Sequence, residues 1–208
     1  MFILTVMLFS AMAVSAAEQF VTFKSGDGAL AIAQGGKVAD IIYDAQDYEG
    51  VVMAIKSLQT DIKAVTGVEP TLNSKLSTLN SPCIIIGSEK SQLVQQLMSA
   101  GKIQKKELQG KTEKYLLQIV DKPVSGVSQA LVIAGSDKRG TIYGIYELSR
   151  QIGVSPWYWW ADVPARHQDN IYIKKGVYTD GEPKVAYRGI FINDEWPSFG
   201  NWAVEHFG

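Results

Sequence analysis

One unbroken apolar run constrains the fold more than any other part of this sequence. Cys83-Ile84-Ile85-Ile86 contains no polar residue and ends at Gly87. Side chains alternate between the two faces of a strand, so this run predicts a central strand that is covered on both faces. The chain has 208 residues, 46% of them hydrophobic, which is enough for one such layered domain and a smaller remnant.

Strand and helix patterns alternate on both sides of this run. Short strands are predicted at 20–23, 30–33, 38–43, 70–72, 115–120 and 130–134. Apolar residues at helical spacing predict helices over 50–65, 91–99 and 137–153. Gly67 lies where a C-terminal cap belongs, and Asp137 is a suitable N-terminal cap. The predicted fold class is α/β, a mixed-sheet α/β sandwich.

The first 17 residues are predicted to be a signal peptide. Residues 1–14 carry no charged side chain, and small residues at 15–17 suit cleavage before Ala17 or Glu18. The run is shorter than the roughly 20 residues that span a bilayer. No Lys or Arg precedes the run, so a buried N-terminal strand or helix is the alternative. A signal peptide implies a periplasmic or extracellular protein with no membrane attachment after cleavage.

Charge and reactive side chains exclude several functions. The chain has 20 basic and 21 acidic residues and no long basic run, so no nucleic-acid partner is predicted. Cys83 is the single cysteine and fits a core position better than a nucleophile. His167 and His206 are isolated, so no metal site is predicted. The turn over residues 135–140 matches neither glycine-rich nucleotide-binding spacing, which argues against a phosphate site.

A second unit is predicted over residues 185–208, after an N-terminal domain at 18–180. Residues 185–193 have a strand pattern, which ends on Asn193-Asp194-Glu195 and is followed by a helix-like stretch to residue 207. Active-site groups of a (β/α)₈ barrel lie at the C-terminal ends of its strands, where carboxylates serve as general acids or bases. Asp194 and Glu195 point to opposite faces of a strand, so both cannot reach one substrate without a bend. A strand-end turn with a helix cap is the alternative.

Four consecutive aromatic residues, at positions 157–160, form the second candidate site. Aromatic rings stack on the apolar faces of sugars while polar groups bind the hydroxyls at the rim. An inter-domain contact or a core strand would account for the same residues, and both readings stay open.

Three segments, read in order, resemble glycoside hydrolase family 115, the xylan α-glucuronidases. They are DKRGTIYGIYELSRQIG at 137–153, VSPWYWWADVP at 154–164 and YRGIFINDE at 187–195. The first alone is similar to a helix in the accessory N-terminal α/β domains of several glycosidase families, including hexosaminidases and family 67 glucuronidases. The second and third are more specific to family 115. The resemblance covers most of the chain after residue 17, and it is firmest over 137–208.

The resemblance implies an N-terminal accessory domain followed by a TIM-type barrel, of which this chain carries a truncated first β-α unit. It implies inverting removal of α-1,2-linked (4-O-methyl)glucuronic acid from glucuronoxylan or glucurono-xylooligosaccharides, with no metal or other cofactor. The family's general acid lies beyond this chain, so the fragment alone is expected to be inactive. A homo-oligomer is left open.

The resemblance also assigns roles to residues. Asp194 matches a pocket residue that positions or activates water or binds a sugar hydroxyl, and it is the candidate catalytic residue. Asn193 and Glu195 are candidate substrate-binding residues, with Trp159 and Trp160 as pocket walls.

Two other functions stay open at the level of sequence. The chain is alternatively an accessory carbohydrate-binding module without activity, or part of a hexosaminidase-like glycosidase. Trp196 replaces the small residue that many family 115 relatives carry, a departure that bears on fine specificity.

Overall fold

The computed structural model describes residues 18–74, 82–194 and 199–208. The predicted signal peptide and Glu195 lie outside the described residues. None of the helices in these three ranges is both long and apolar enough to cross a membrane.

The described chain alternates strands and helices, as the sequence predicts. The strands are β1 (Val21–Thr22), β2 (Leu30–Gln34), β3 (Lys37–Val38), β4 (Asp40–Tyr43), β5 (Leu72–Asn73), β6 (Cys83–Gly87), β7 (Tyr115–Asp121), β8 (Gln129–Gly135), β9 (Ile171–Ile173) and β10 (Val177–Tyr178). The helices are α1 (Glu49–Thr66), α2 (Gln92–Ser99), α3 (Lys138–Ile152), α4 (Tyr158–Ala161) and α5 (Phe199–Phe207).

The larger sheet is mixed and has six strands in the order β10-β7-β8-β6-β4-β5. The pairs among β5, β4, β6 and β8 are parallel, whereas β7 pairs antiparallel with both β8 and β10. Every residue of β6 is buried. Ile84 and Ile86 belong to the core that includes α1 and α3, while Ile85 belongs to the core that includes α2. The predicted central strand, covered on both faces, is confirmed.

The smaller sheet has the order β1-β9-β2-β3 and packs into the same core as α1 and α3. Its presence corrects the prediction of one strand over 38–43, because the chain passes from one sheet to the other at Ala39. The Ala39 amide donates to the Ile32 carbonyl at 2.8 Å, whereas the Ile41 amide donates to the Thr71 carbonyl at 2.9 Å. Residues 38–43, which look like one strand in the sequence, are therefore divided between two sheets.

Helix ends follow the local signals in the sequence. The Asp137 carboxylate accepts the Gly140 amide at 2.8 Å and caps the start of α3, as predicted. Gly67 ends α1 in the left-handed conformation, with φ of +78°. Gly140 also lets α3 approach β7, since a Cβ at this position would lie 2.3 Å from the Lys114 carbonyl oxygen. This close approach brings the residues of α3 beside Tyr115.

The predicted strand over 185–193 is wrong for this chain. Residues 185–194 form no strand, and Tyr187 and Phe191 are 95% and 91% exposed. A strand needs a neighbour that supplies hydrogen bonds and covers one face, and the described residues provide none for this segment. The helix predicted after it is present as α5.

Candidate functional site

The segment that follows β10 is fastened to the α/β domain by two charged residues. Glu182 accepts the Thr112 amide at 2.8 Å and pairs with Lys111 at 3.1 Å. Six residues later, the Arg188 guanidinium forms an ion pair with the Glu113 carboxylate. The chain that leads to Asn193 and Asp194 is therefore anchored on the loop before β7.

Glu113 is the centre of this anchor. Its carboxylate also pairs with Arg139 at 2.9 Å, and it is mostly buried, which strengthens charged hydrogen bonds. The Tyr143 hydroxyl joins both cations, at 3.0 Å from Arg139 and 3.2 Å from Arg188. The hydrogen bond to Glu113 raises the pKa of the Arg188 guanidinium above its ordinary value. The Glu113 backbone has a left-handed φ of +53°, and its amide donates to the Asp137 carboxylate at 2.7 Å.

Asn193 and Asp194 are exposed and lie in the segment without regular secondary structure that precedes α5. The Asp194 carboxylate sits against the first turn of that helix, because a Cβ built on Gly200 would lie 3.0 Å from its Oδ1. A helix N-terminus carries partial positive charge and favours a carboxylate there. This placement agrees with the helix-cap interpretation and leaves the role of Asp194 in catalysis a prediction. Glu195, the third residue of the motif, lies outside the described residues.

Most of the aromatic segment lies in the short helix α4, so the core-strand alternative for these residues is wrong. Trp157 and Tyr158 are exposed. Trp159 and Trp160 lie on the same helix, but their side chains lie outside the described part of the structure. Their predicted role as pocket walls therefore stays a prediction.

A cavity of about 720 Å³ lies between α1, α3 and the segment that contains α4. Its lining includes Asp61 from α1, Glu147 and Ser149 from α3, Tyr158 from α4 and Asp180 from the segment after β10. A smaller cavity of about 360 Å³ adjoins the Arg188 anchor. Sequence reasoning missed the larger cavity because its walls come from segments more than 100 residues apart. The aromatic run at 157–160 was its only local signal.

Burial and charge shape the electrostatics of the larger cavity. Burial raises the pKa of the Asp61 carboxyl, and the nearby Ser149 hydroxyl partly opposes this shift. Burial, together with a hydrogen bond to Asp180, raises the pKa of the Tyr115 hydroxyl. The Arg150 guanidinium holds Glu147 through two hydrogen bonds, of 2.8 and 2.6 Å. The Glu147 carboxylate thereby balances the positive charge of Arg150. Asp61 and Asp180 add negative charge to the cavity wall.

The carboxyl edge of the parallel strands, a common ligand site in α/β folds, is occupied by the chain's own side chains. Asp47 accepts the Ser88 amide at 2.8 Å, and Asp137 fills the N-terminus of α3. The turn over residues 135–140 therefore holds its own carboxylate at the start of α3. Burial raises the pKa of the Cys83 thiol to about 12, and His167 pairs with exposed Asp169 at 3.1 Å. No group of three or more metal-binding side chains occurs in the described ranges.

Two family matches, and matches among solved structures, relate this chain to known proteins. Residues 33–148 match the family described as Glycosyl hydrolase family 67 N-terminus. Residues 180–208, which carry the Arg188 anchor and Asp194, match Glycosyl hydrolase family 115. No curated protein matches the chain.

Among solved structures, one is described as "A novel family GH115 4-O-Methyl-alpha-glucuronidase, BtGH115A, with specificity for decorated arabinogalactans". It superposes with a TM-score of 0.66 and 31% sequence identity, over 86% of this chain and 22% of that chain. A structure described as that of CpGH84D aligns with a TM-score of 0.42 and 8% identity, over 76% of this chain and 22% of that chain. The chain thus spans 22% of the length of each of these structures.

Proposed function

We propose, from the premise that this chain belongs to glycosyl hydrolase family 115 as an N-terminal portion, that it is part of a glycoside hydrolase acting on glucuronic acid-decorated polysaccharides. The observation that carries the proposal is the order of two family matches in one chain. A glycosidase accessory domain over 33–148 is followed by family 115 sequence over 180–208. The 31% identity to a family 115 glucuronidase, over 86% of this chain, supports the same conclusion.

The specific reaction we propose is inverting hydrolysis of α-1,2-linked (4-O-methyl)glucuronic acid. Inversion needs a general acid at the glycosidic oxygen and a base that activates water on the opposite face of the sugar. Asp194 is the residue of this chain that we assign to the water or to a sugar hydroxyl, with Asn193 and Glu195 binding substrate beside it. The general acid belongs to the barrel outside residues 1–208, so we expect this fragment alone to be inactive.

The anchor at Arg188 gives this assignment a structural basis within the chain. Arg188, held by Glu113 and Tyr143, lies five residues before Asn193 and fixes the point from which the candidate catalytic segment departs. Orientation of catalytic groups accounts for a large share of enzymatic rate enhancement, so a fixed departure point favours catalysis. Arg188 is in this proposal a positioning residue.

Two polysaccharide backbones are compatible with removal of glucuronic acid. The resemblance in sequence favours glucuronoxylan, whereas the similar solved structure is described as specific for decorated arabinogalactans. We propose glucuronoxylan as the substrate and glucuronidated arabinogalactan as the comparison. We also propose that residues 1–17 export the protein to the periplasm or the cell exterior.

The experiment that tests the proposal expresses the whole reading frame that encodes this chain and assays both polysaccharides. Released (4-O-methyl)glucuronic acid is measured by chromatography for the wild type, Asp194→Ala and Asp169→Ala. Asp169 is an exposed aspartate that lies 25 residues before Asp194 in the sequence and serves as the matched control. We expect Asp194→Ala to lower the rate about a hundredfold or more, as loss of acid-base or water-positioning groups does, and Asp169→Ala to leave it unchanged.

Four results would each replace a part of this proposal. Full activity of folded Asp194→Ala would remove this residue from the site. Activity of the purified 208-residue chain would contradict the expectation that the fragment is inactive. Cleavage of N-acetylhexosaminides without release of glucuronic acid would favour a hexosaminidase-like enzyme, and binding without any hydrolysis would favour an accessory carbohydrate-binding module.

A further inference from the structure

The cavity between α1, α3 and α4 has the dimensions of a small-molecule site. Its volume of about 720 Å³ lies within the roughly 300–1,000 Å³ typical of ligand pockets. Tyr146 from α3 and Tyr158 from α4 line it, and both side chains are exposed. The cavity therefore offers aromatic surface on a fixed framework of helices, which is the arrangement that stacks against the apolar face of a sugar ring.

The charges of the lining select among saccharides. Arg150 is the cation among the lining residues, and Glu147 already holds it through two hydrogen bonds. Asp61 and Asp180 then leave the cavity with excess negative charge. A carboxylate ligand would be repelled, whereas a neutral sugar would donate its hydroxyls to these carboxylate oxygens.

We infer that this cavity is a second carbohydrate site, which binds a neutral saccharide unit and is separate from the site at Asp194. Its occupant is a backbone pentose or hexose, and the glucuronic acid side chain is excluded by charge. The inference rests on residues of this chain alone and does not require the proposed hydrolase activity. It would give the N-terminal domain its own contact with the polysaccharide.

Titration of the 208-residue chain with xylotriose, galactotriose and glucuronic acid tests this inference. We expect saturable calorimetric binding of at least one neutral trisaccharide, with a Kd of about 0.1–10 mM, and none of glucuronic acid. Tyr146→Ala should weaken this binding at least about tenfold through loss of aromatic contact. Tyr187→Ala, which removes an exposed tyrosine outside the cavity, is the matched control and should bind like the wild type.

Three outcomes with the 208-residue chain would overturn the inference. They are no saturable binding of either trisaccharide, binding of glucuronic acid as tight as that of the trisaccharides, and undiminished binding by Tyr146→Ala. The same titration of the Asp194→Ala protein from the whole reading frame distinguishes the two sites. Loss of binding there, with retention in the 208-residue chain, would mean that other parts of the protein cover the cavity and would also overturn it.

Discussion

Replacement of Gln151 by Leu tests how the first strand is held to the domain. The Gln151 side chain is 5% exposed, and its Oε1 accepts the Phe20 and Val21 amides at 2.9 and 3.2 Å. Its Nε2 donates to the Glu18 carbonyl at 3.0 Å and to Glu147 at 2.7 Å. Leu has a similar volume, so Gln151→Leu keeps the packing and removes the four hydrogen bonds.

The expected loss follows from the two buried amides that this change leaves unpaired. Each costs about 1–3 kcal/mol, and the added apolar surface of Leu returns about 1 kcal/mol. The free energy of unfolding should therefore fall by about 1–5 kcal/mol. Local detachment of β1 would limit this loss of unfolding free energy. If the two-residue strand opens on its own, its unpaired amides form hydrogen bonds to water instead of staying buried.

Urea denaturation followed by circular dichroism measures this loss. Gln95→Leu is the matched control, since Gln95 is an exposed helical glutamine whose Nε2 also donates to a backbone carbonyl, that of Glu89, at 2.8 Å. Its stability should change by less than about 0.5 kcal/mol. The reasoning is refuted if Gln151→Leu costs no more than Gln95→Leu.

Three further predictions follow from individual contacts. Gly140→Ala should lower stability by about 3 kcal/mol in a thermal melt, because the new Cβ would lie 2.3 Å from the Lys114 carbonyl oxygen; an unchanged midpoint would contradict this. Burial raises the pKa of the Asp61 carboxyl in the folded protein above its ordinary value. Asp61 therefore contributes to the stability of the fold at low pH, and this contribution is lost as the pH rises through the folded-state pKa. Asp61→Asn should therefore be more stable than the wild type at about pH 7, with a difference that vanishes at low pH, and a difference independent of pH would disprove the assignment. Cys83, whose thiol pKa burial raises to about 12, should resist a thiol reagent at about pH 8 until urea unfolds the chain; rapid labelling of the folded protein would show that the thiol is accessible.

Much of the fold was predictable because its signals are local. The apolar run of β6, the cap at Asp137 and the glycine that ends α1 each act within a few residues, and the structure confirms all three. β9 and β10, of three and two residues, were not predicted. The division of residues 37–43 between two sheets depends on partners at Ile32 and Thr71, which the local pattern does not contain.

The site was less predictable, since it depends on contacts between distant segments. Residues 185–193 have the alternation of a strand, but no strand of the described residues forms a sheet with them, so they form no strand and stay exposed. The anchor joins Arg188 to Glu113, residues that no motif links. The larger cavity likewise combines Asp61, Ser149 and Asp180 from three parts of the chain.

Time-resolved proton NMR of glucuronoxylan, treated with the protein from the whole reading frame, tests the central claim most directly. The account predicts that free (4-O-methyl)glucuronic acid appears first as the β anomer, because inversion of an α linkage forms this product before mutarotation. Release of the α anomer first would contradict the inverting mechanism. Absence of any uronic acid, from glucuronoxylan and from glucuronidated arabinogalactan alike, would contradict the proposed function itself.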